Sequence, residues 1–441
     1  MSTHSERARQ WVHIGSGAFA FLLRLLTWPQ AALLAVVALA FNAIVLPRVG
    51  GRSLYRAIDR ERGFPIGILL YPASVIGLIL VFRSRLDIAA AAWGVLAFGD
   101  GFATLAGRGR RLPWNRDKSV AGTMAFIACA AAGAIVLAAW TRPAVDPRPS
   151  ILFVILAPIA AAIVAALVES LPVRLDDNVS VPIAAGAVLW LASLMTHDAA
   201  GAATPLMLER LPWAIGVNAL VASLGYRAKS VSLSGTIAGA IIGVVIWTGG
   251  GASAWILLFA SFFVATAASR LGVERKAELG IAEERGGRRG AGNAIANCGI
   301  AVAAAVAAAT TPCFGQALFA LAAALTAGGS DTVASEIGKA WGRSTFLVTS
   351  LRRVPAGTPG AMSVEGTIAG VAGAFALAAL AALLRLVTPE AIVPIVIAAT
   401  AGALVESVLA ATLERPGILN NDMLNFINTG VAAAVALALV A

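Results

Sequence analysis

The chain has 441 residues, of which 59% are hydrophobic and only 13% charged, and its mean hydropathy is +0.85. No water-soluble globular domain has this composition, so a polytopic membrane protein is expected. The net charge of +10 would point to nucleic acid in a soluble chain. Here the basic residues fall in loops between apolar runs, where they set topology instead, and no nucleic-acid partner is expected.

Apolar runs of roughly 17–25 residues, the length that crosses about 30 Å of hydrocarbon, recur along the chain. They predict an all-α protein of about fifteen membrane helices in two related bundles. In the first half the spans lie near 12–27, 30–47, 65–82, 87–106, 119–140, 150–170 and 181–196. In the second they lie near 211–226, 234–250, 253–269, 293–310, 316–338, 364–384, 390–411 and 426–441. Placing the N-terminus in the cytosol puts 26 of the 33 Lys and Arg on the cytosolic side, which predicts an N-in, C-out topology. The first apolar run passes directly into a second, so no cleavable leader is expected. Cys129, Cys298 and Cys313 show no CxxC spacing, and His4, His13 and His197 are scattered; neither set predicts a disulfide framework or a zinc site.

Polar residues inside apolar spans are costly and tend to mark function. They occur here twice, in the same order. The first half carries Asp100 between Gly99 and Gly101, then Gly122-Thr123, then Glu169-Ser170, then Asp176-Asp177-Asn178. The second carries Asp331, then Gly366-Thr367, then Glu406-Ser407, then Asn420-Asn421-Asp422 and Asn425. Two domains follow, 1–204 and 205–441, each with a candidate active site at the cytosolic ends of its spans.

In the first domain, Arg108, Lys118 and Ser119 lead into a helix opened by Gly122-Thr123. Free N–H groups and nearby cations at a helix start favour phosphate. Asp100 and Asp177 supply hard oxygen ligands of the kind magnesium takes. Acid, cations and backbone donors together are the parts of phosphoryl transfer. The plainer reading of Arg108 to Lys118 is a topogenic basic loop. In the second domain, the loop 270–292 is charged and glycine-rich, with Arg275, Lys276, Arg288 and Arg289 as phosphate-binding candidates and Asn293 and Asn297 following. It contains neither a P-loop nor a dinucleotide fingerprint; a charged surface helix is its plainer reading. Asp331, Ser335 and Lys339 share a helix face by their spacing of four. Glu336 lies close by, and a buried ion pair is the alternative to an active-site role for it.

The stretch Phe98-Gly-Asp-Gly-Phe-Ala-Thr-Leu-Ala-Gly-Arg108, then Lys118-Ser119-Val-Ala-Gly-Thr123, Glu169-Ser-Leu-Pro172 and Asp176-Asp177-Asn178 resembles the phytol kinase and dolichol kinase family of CTP-dependent polyprenol kinases. Arg9-Gln10 and His13 resemble that family's basic-then-His segment, with Gln10 where Lys is usual. The second half resembles the integral-membrane family that includes plant phytyl-phosphate kinase. It does so through Arg275-Lys276, Gly286-Gly287-Arg288-Arg289-Gly290, Asn293, Asp331-Thr332-Val333-Ala334-Ser335-Glu336-Ile337-Gly338 and Asn420-Asn421-Asp422. Glu406 stands where Asp is common.

These resemblances imply a fused salvage kinase of a bacterial plasma membrane. The first half would convert an isoprenoid alcohol to its monophosphate with CTP and Mg2+, and the second would convert the monophosphate to the diphosphate. Asp100, Asp177, Asp331, Glu336 and Asp422 would take the acidic roles. Asp100, Asp177, Asp331 and Asp422 among them would hold the metal. Arg108, Lys118, Ser119, Gly122, Thr123, Arg275, Lys276, Arg288, Arg289, Asn293, Lys339, Gly366 and Thr367 would hold phosphates. His13, Glu169, Asp176, Asn178, Asn297, Glu406, Asn420, Asn421 and Asn425 would support them. The rival readings are a secondary transporter, for which repeats and intramembrane acids are also marks, and a CTP-dependent lipid cytidylyltransferase. Oligomeric state is not fixed by the sequence.

Overall fold

The structure, a computed structural model, describes residues 3–49, 66–113, 115–170, 176–281, 288–414 and 418–440. The middle of the glycine-rich loop, Glu283 to Gly287, and Pro172 lie outside the described residues. The protein is an all-α polytopic membrane protein. Among the described residues, eleven helices are long and apolar enough to cross a membrane, and Gly67–Val81 is apolar but shorter.

The chain divides into two compact units, Met1–Ser193 and Leu194–Ala441. In unit 1 the helices are α1 (Thr3–Ser16), α2 (Trp28–Val45), α3 (Ile66–Val81), α4 (Leu86–Ala106), α5 (Val120–Thr141), α6 (Ile151–Ser170) and α7 (Asp177–Leu194). In unit 2 they are α8 (His197–Arg227), α9 (Leu233–Arg270), α10 (Val273–Glu278), α11 (Ala291–Thr310), α12 (Phe314–Trp341), α13 (Val364–Leu383), α14 (Pro389–Glu414) and α15 (Asn421–Val440). A short hairpin, β1 (Thr345–Leu347) with β2 (Ala361–Ser363), joins α12 to α13, with Thr345 opposite Ser363.

The difference from fifteen expected spans has local causes. The expected span 12–27 is instead the polar end of α1 followed by a 3-10 segment, Gly17–Arg24. The expected span 211–226 is the second half of α8, a 31-residue helix interrupted by Pro205 and Pro212. The expected spans 234–250 and 253–269 both lie within α9, which breaks at Gly251, where φ is 82°. Arg270 at the end of α9 donates to Ser230 just before its start, at 2.9 Å. The two arms therefore reverse on each other at Gly251 and form two spans. A left-handed φ suits glycine because it has no Cβ. Arg210 secures the reversal: it lies against Gly251 and donates to the Thr248 carbonyl at 3.3 Å, a cation placed at a helix C-terminus.

One helix in each unit is buried along most of its length: α4 in unit 1 and α12 in unit 2. Both are rich in alanine at the buried positions, Ala89 to Ala92 and Ala322 to Ala324. Small side chains let neighbouring helices approach closely where lipid supplies no hydrophobic drive. Each central helix carries its unit's aspartate near its C-terminal end, Asp100 or Asp331. In α4 the backbone widens into a π-turn over Val95–Asp100, a distortion often found at functional positions.

The central helix grips the next one by the same device in both units. A Cβ at Gly122 would lie 3.0 Å from the Ala103 carbonyl oxygen, and one at Gly366 would lie 2.5 Å from that of Ala334. Ala103 and Ala334 follow their aspartates by three positions. Gly107 and Gly338, seven positions after the aspartates, give the second approach: their Cα atoms would lie 3.4 and 3.1 Å from the same two Cβ atoms. These glycines exist to let backbone meet backbone. Replacing Gly366 by Ala should cost about 1–3 kcal/mol through overpacking. Gly239→Ala in α9, where a Cβ meets nothing within 4 Å, should instead stabilise by about 0.5–1 kcal/mol through helix propensity. Thermal unfolding midpoints of the detergent-solubilised variants measure both, and opposite signs are expected.

Candidate functional site

Each gripping glycine sits in a Ser-x-x-Gly-Thr cap. Ser119 Oγ accepts from the Gly122 N–H at 3.1 Å, and Thr123 Oγ1 donates to the Ser119 carbonyl at 3.2 Å. Ser363 with Gly366 and Thr367 does the same at 3.0 and 2.8 Å. A third cap, at Ser232, Gly235 and Thr236, opens α9 with distances of 3.2 and 2.9 Å. The sequence reading missed this third cap. Its signal was the near-identity of Ser232-Leu-Ser-Gly-Thr-Ile-Ala-Gly239 to Ser363-Val-Glu-Gly-Thr-Ile-Ala-Gly370. The serine oxygens are engaged as N-caps, so Ser119 and Ser363 shape the helix starts and leave phosphate contact to neighbouring groups.

In unit 1 the end of α4, the end of α6 and the start of α7 bring Asp100, Glu169 and Asp177 together. One carboxylate oxygen from each lies within 4.8 Å of the others. Lys118, in the loop before α5, donates to Glu169 and, at 3.0 Å, to Asp177. Burial opposes the ammonium charge on Lys118, but the Asp177 and Glu169 carboxylates outweigh it and raise its pKa above the ordinary lysine value. Its charge therefore persists through the neutral range. Three carboxylates against one ammonium leave two negative charges in a half-buried site. Clustered hard oxygens with that excess fit a divalent cation such as magnesium.

His13 Nε2 lies 3.5 Å from Asp100 Oδ2 and 3.3 Å from the Leu96 carbonyl. Asp176 turns away from the cluster: its Oδ1 accepts from the Asn178 N–H at 3.0 Å and from Asn178 Nδ2 at 2.7 Å. Arg108 is exposed just beyond α4. The acid cluster adjoins an apolar cavity of about 650 Å³. His13, Asp100 and Asn178 line its polar part, while Leu34, Val37 and Phe41 of α2 are among its apolar walls. Tyr71 also lines it, receives a 2.8 Å hydrogen bond from Trp93 Nε1 and packs edge-on against His13. Nothing in the sequence pattern marked Tyr71.

In unit 2 a polar cavity of about 310 Å³ gathers Asp331, Lys339, Gly366, Thr367, Glu406, Asn421 and Asn425, with Arg289 and Asn293 on its wall. Asp331 and Glu406 come within hydrogen-bonding reach of each other, in the place where unit 1 sets Asp100 beside Glu169. Glu406 Oε2 is buried without a hydrogen-bond partner. Glu414, on the same helix as Glu406, also lines this cavity, and Asn428 lies within reach of Glu406. The reading of the sequence stopped short of both. Their signal was helical spacing: Glu414 lies eight positions after Glu406, and Asn428 three after Asn425.

Other expected residues are placed differently. Lys276, on α10, is buried and donates to Glu336 and, at 2.7 Å, to the Ser269 carbonyl. Lys339 donates to the other Glu336 oxygen at 2.9 Å. Glu336, only 1% exposed, is thus fully engaged by two lysines. It anchors α10 to α12, and Lys276 is committed to that anchor rather than to a phosphate. Asp422 lies against Gly292 at the start of α11 and is not among the residues that line the cavity with Asp331. Asn420 caps α15 by accepting from the Met423 N–H at 2.9 Å. Arg275 and Arg288 are exposed. Asn297 bonds back to the Asn293 carbonyl at 2.9 Å.

Residues 216–433, nearly the whole of unit 2, match the family described as integral membrane protein DUF92. An uncharacterized membrane protein of Synechocystis sp. is 42% identical over 200 residues, covering 45% of this chain and 78% of that one. Protein VTE6, chloroplastic, of Arabidopsis thaliana is 36% identical over 235 residues, covering 51% and 70%. The chain belongs to the DUF92 family of integral membrane proteins. A protein of Triticum aestivum named probable phytol kinase, chloroplastic, is 29% identical over 209 residues, covering 42% of this chain and 66% of that one. No solved structure matches.

The Lys276–Glu336 pair gives the family unit a test of its own. Glu336→Gln leaves a buried ammonium half-paired and should destabilise by about 3–5 kcal/mol. Adding Lys276→Met should restore most of that loss. A thermal unfolding comparison of wild type, single and double variants reads the result. A Glu336→Gln protein as stable as wild type would contradict the structural role.

Proposed function

We propose that this protein is a membrane kinase of isoprenoid alcohols, in which unit 1 makes the monophosphate and unit 2 the diphosphate. The observation that carries the reading is the cluster of Asp100, Glu169, Asp177 and Lys118 beside a large apolar cavity. A prenol needs both features: hydrocarbon walls for its chain and a charged corner where its hydroxyl meets a nucleotide. The Triticum aestivum relative bears a phytol kinase name, which supports the substrate class. The matched contacts of Asp100 and Asp331, and of Glu169 and Glu406, support two related sites in one fused chain. CTP is the proposed donor and Mg2+ the proposed metal, with both sites facing the cytoplasm of a bacterial plasma membrane.

Asp100, Glu169 and Asp177 would hold the metal in unit 1, and Asp331 with Glu406 would hold it in unit 2. When bound, such an ion would supply charge neutralisation at the transferred phosphate. The residues of this chain do the rest. Asp100 orients the prenol hydroxyl and, with His13 at 3.5 Å, accepts its proton. Lys118 neutralises transferred phosphate charge while staying protonated. Apolar walls fix the chain and keep water from competing with the alcohol. Catalysis is then positioning and charge neutralisation.

The test incubates membranes containing the protein with gamma-labelled CTP, magnesium and a prenol, and separates the lipid products. Labelled mono- and diphosphate are expected. Asp100→Asn should lower monophosphate formation at least a hundredfold and leave conversion of added monophosphate intact. Asp331→Asn should do the reverse. Loss of both steps in either variant would overturn the two-site reading, and release of pyrophosphate in place of CDP would replace the kinase with a cytidylyltransferase.

A further inference from the structure

Unit 2 holds a second cavity, of about 140 Å³, between α8, both arms of α9 and the start of α11. Its walls are mainly apolar, including Val221, Ala222, Ile242, Leu258, Phe259 and Phe262. None of these residues belongs to the acid cluster. Two side chains line both cavities: Arg289 and Asn293. An apolar cleft therefore meets a polar, acid-lined one at a guanidinium and an amide.

The chain holds Arg289 there with care. Its N–H donates to the Ser230 carbonyl at 3.2 Å, and its carbonyl accepts from the Ser232 N–H at 3.0 Å. Gly235 packs directly on that carbonyl, where no side chain would fit. The guanidinium reaches Ser269 Oγ at 3.3 Å and Asn293 Oδ1 at 3.5 Å. Asn293 and Asn297 follow on one face of α11, at helical spacing, and both border the apolar cavity.

We infer that the apolar cavity holds the first part of the hydrocarbon chain of a prenyl monophosphate, with its phosphate on Arg289 and Asn293. This rests on the second-step reading above and names its lipid site. A planar guanidinium presents paired N–H groups that match phosphate oxygens. The phosphate would then face Asp331 and Glu406 across the polar cavity, where the nucleotide enters. A cavity this small takes only the head-proximal part of a long chain. The remainder lies in the bilayer. The same placement assigns the third Ser-x-x-Gly-Thr cap a purpose: it clamps the backbone that carries Arg289.

The test uses the full chain in phosphatidylethanolamine–phosphatidylglycerol vesicles and a geranylgeranyl monophosphate bearing a diazirine on its first isoprene unit. After irradiation, label is expected on peptides covering 221–242, 258–265 or 293–298. Gly239 lines the cavity with open space at its Cβ position. Gly239→Leu should cut that label at least tenfold without lowering the thermal midpoint. Ala222→Leu, from α8, repeats the test independently of Gly239. Arg289→Gln should cut labelling by the monophosphate tenfold and leave labelling by the corresponding diazirine prenol unchanged. Label confined to other segments, or unaffected by both cavity-filling variants, overturns the inference. Loss of label to excess phosphatidylglycerol as readily as to unlabelled prenyl monophosphate also overturns it, by making the cleft a general lipid site. Retained label with no diphosphate formed sinks the kinase step and leaves the binding site standing.

Discussion

The close approach of backbone to backbone at Gly122 and Gly366 is the constraint on which both units depend. A helix carrying an acid in an apolar environment needs the acid's partners brought within a few ångströms. Long side chains cannot do this, because any Cβ at the crossing would strike the Ala103 or Ala334 carbonyl. With glycine there, the capped start of the following helix lies one turn from the aspartate. The serine caps then satisfy the N–H groups that such a crossing would leave unpaired. Alanine along α4 and α12 extends the same logic, since thin helices can be surrounded on all sides. The bundle is held by contact and hydrogen bonding, as membrane helices must be.

Charge is distributed by the same economy. Burying one ion without a partner is expensive, and removing one member of a pair leaves the other stranded. Unit 1 sets a single lysine against three carboxylates and so retains net negative charge beside a cavity. Unit 2 sets two lysines against Glu336, and one of them, Lys339, also lines the cavity that holds Asp331 and Glu406. The Glu336 knot closes α10 onto α12 at the edge of the same polar cavity that the Asp331–Glu406 pair lines. Several basic residues outside the long loops also have local partners. Arg85 pairs with the buried Asp87 at 2.8 Å, Arg24 lies over the Trp140 ring at 4.3 Å, and Arg142 donates to the Pro149 carbonyl at 2.8 Å. Arg210 secures the reversal of α9.

The membrane class was legible because hydrocarbon thickness imposes a run length that composition cannot disguise. Asp100 and Glu169 were legible because each is a polar exception in an apolar stretch, and Lys118 and Asp177 because each stands in a polar run just before or at a helix start. What the sequence could not carry was direction. Asp176, Asp177 and Asn178 are adjacent, yet only Asp177 joins the cluster, while Asp176 caps the helix start and Asn178 lines the cavity. Asp422 and Asn421 are adjacent too, and only Asn421 lines the cavity. Helical geometry turns neighbours about 100° apart, so a cluster of polar letters divides between function and capping according to the helix phase. The count of spans turned on a similar detail. Two apolar runs joined by Gly250 and Gly251 read as two spans, and the structure keeps them as two arms that reverse at a single left-handed glycine without an intervening loop.

The most informative pairing is between motifs that look alike and do unlike work. Three Ser-x-x-Gly-Thr caps share hydrogen-bond geometry, but two press their glycine on the helix that bears an acid and the third presses on the extended segment that bears Arg289. The cap is therefore a general clamp, and its cargo sets the chemistry: an acid in two cases, a guanidinium in the third. Within unit 2 both kinds of cargo converge on one polar cavity, Asp331 and Glu406 on one side and Arg289 on another. An anionic substrate facing anionic ligands requires such an opposing cation, because like charges at close range would otherwise expel it. Unit 1, whose proposed substrate is an uncharged alcohol, has no such requirement at its apolar cavity, and there the acid and His13 meet the chain directly.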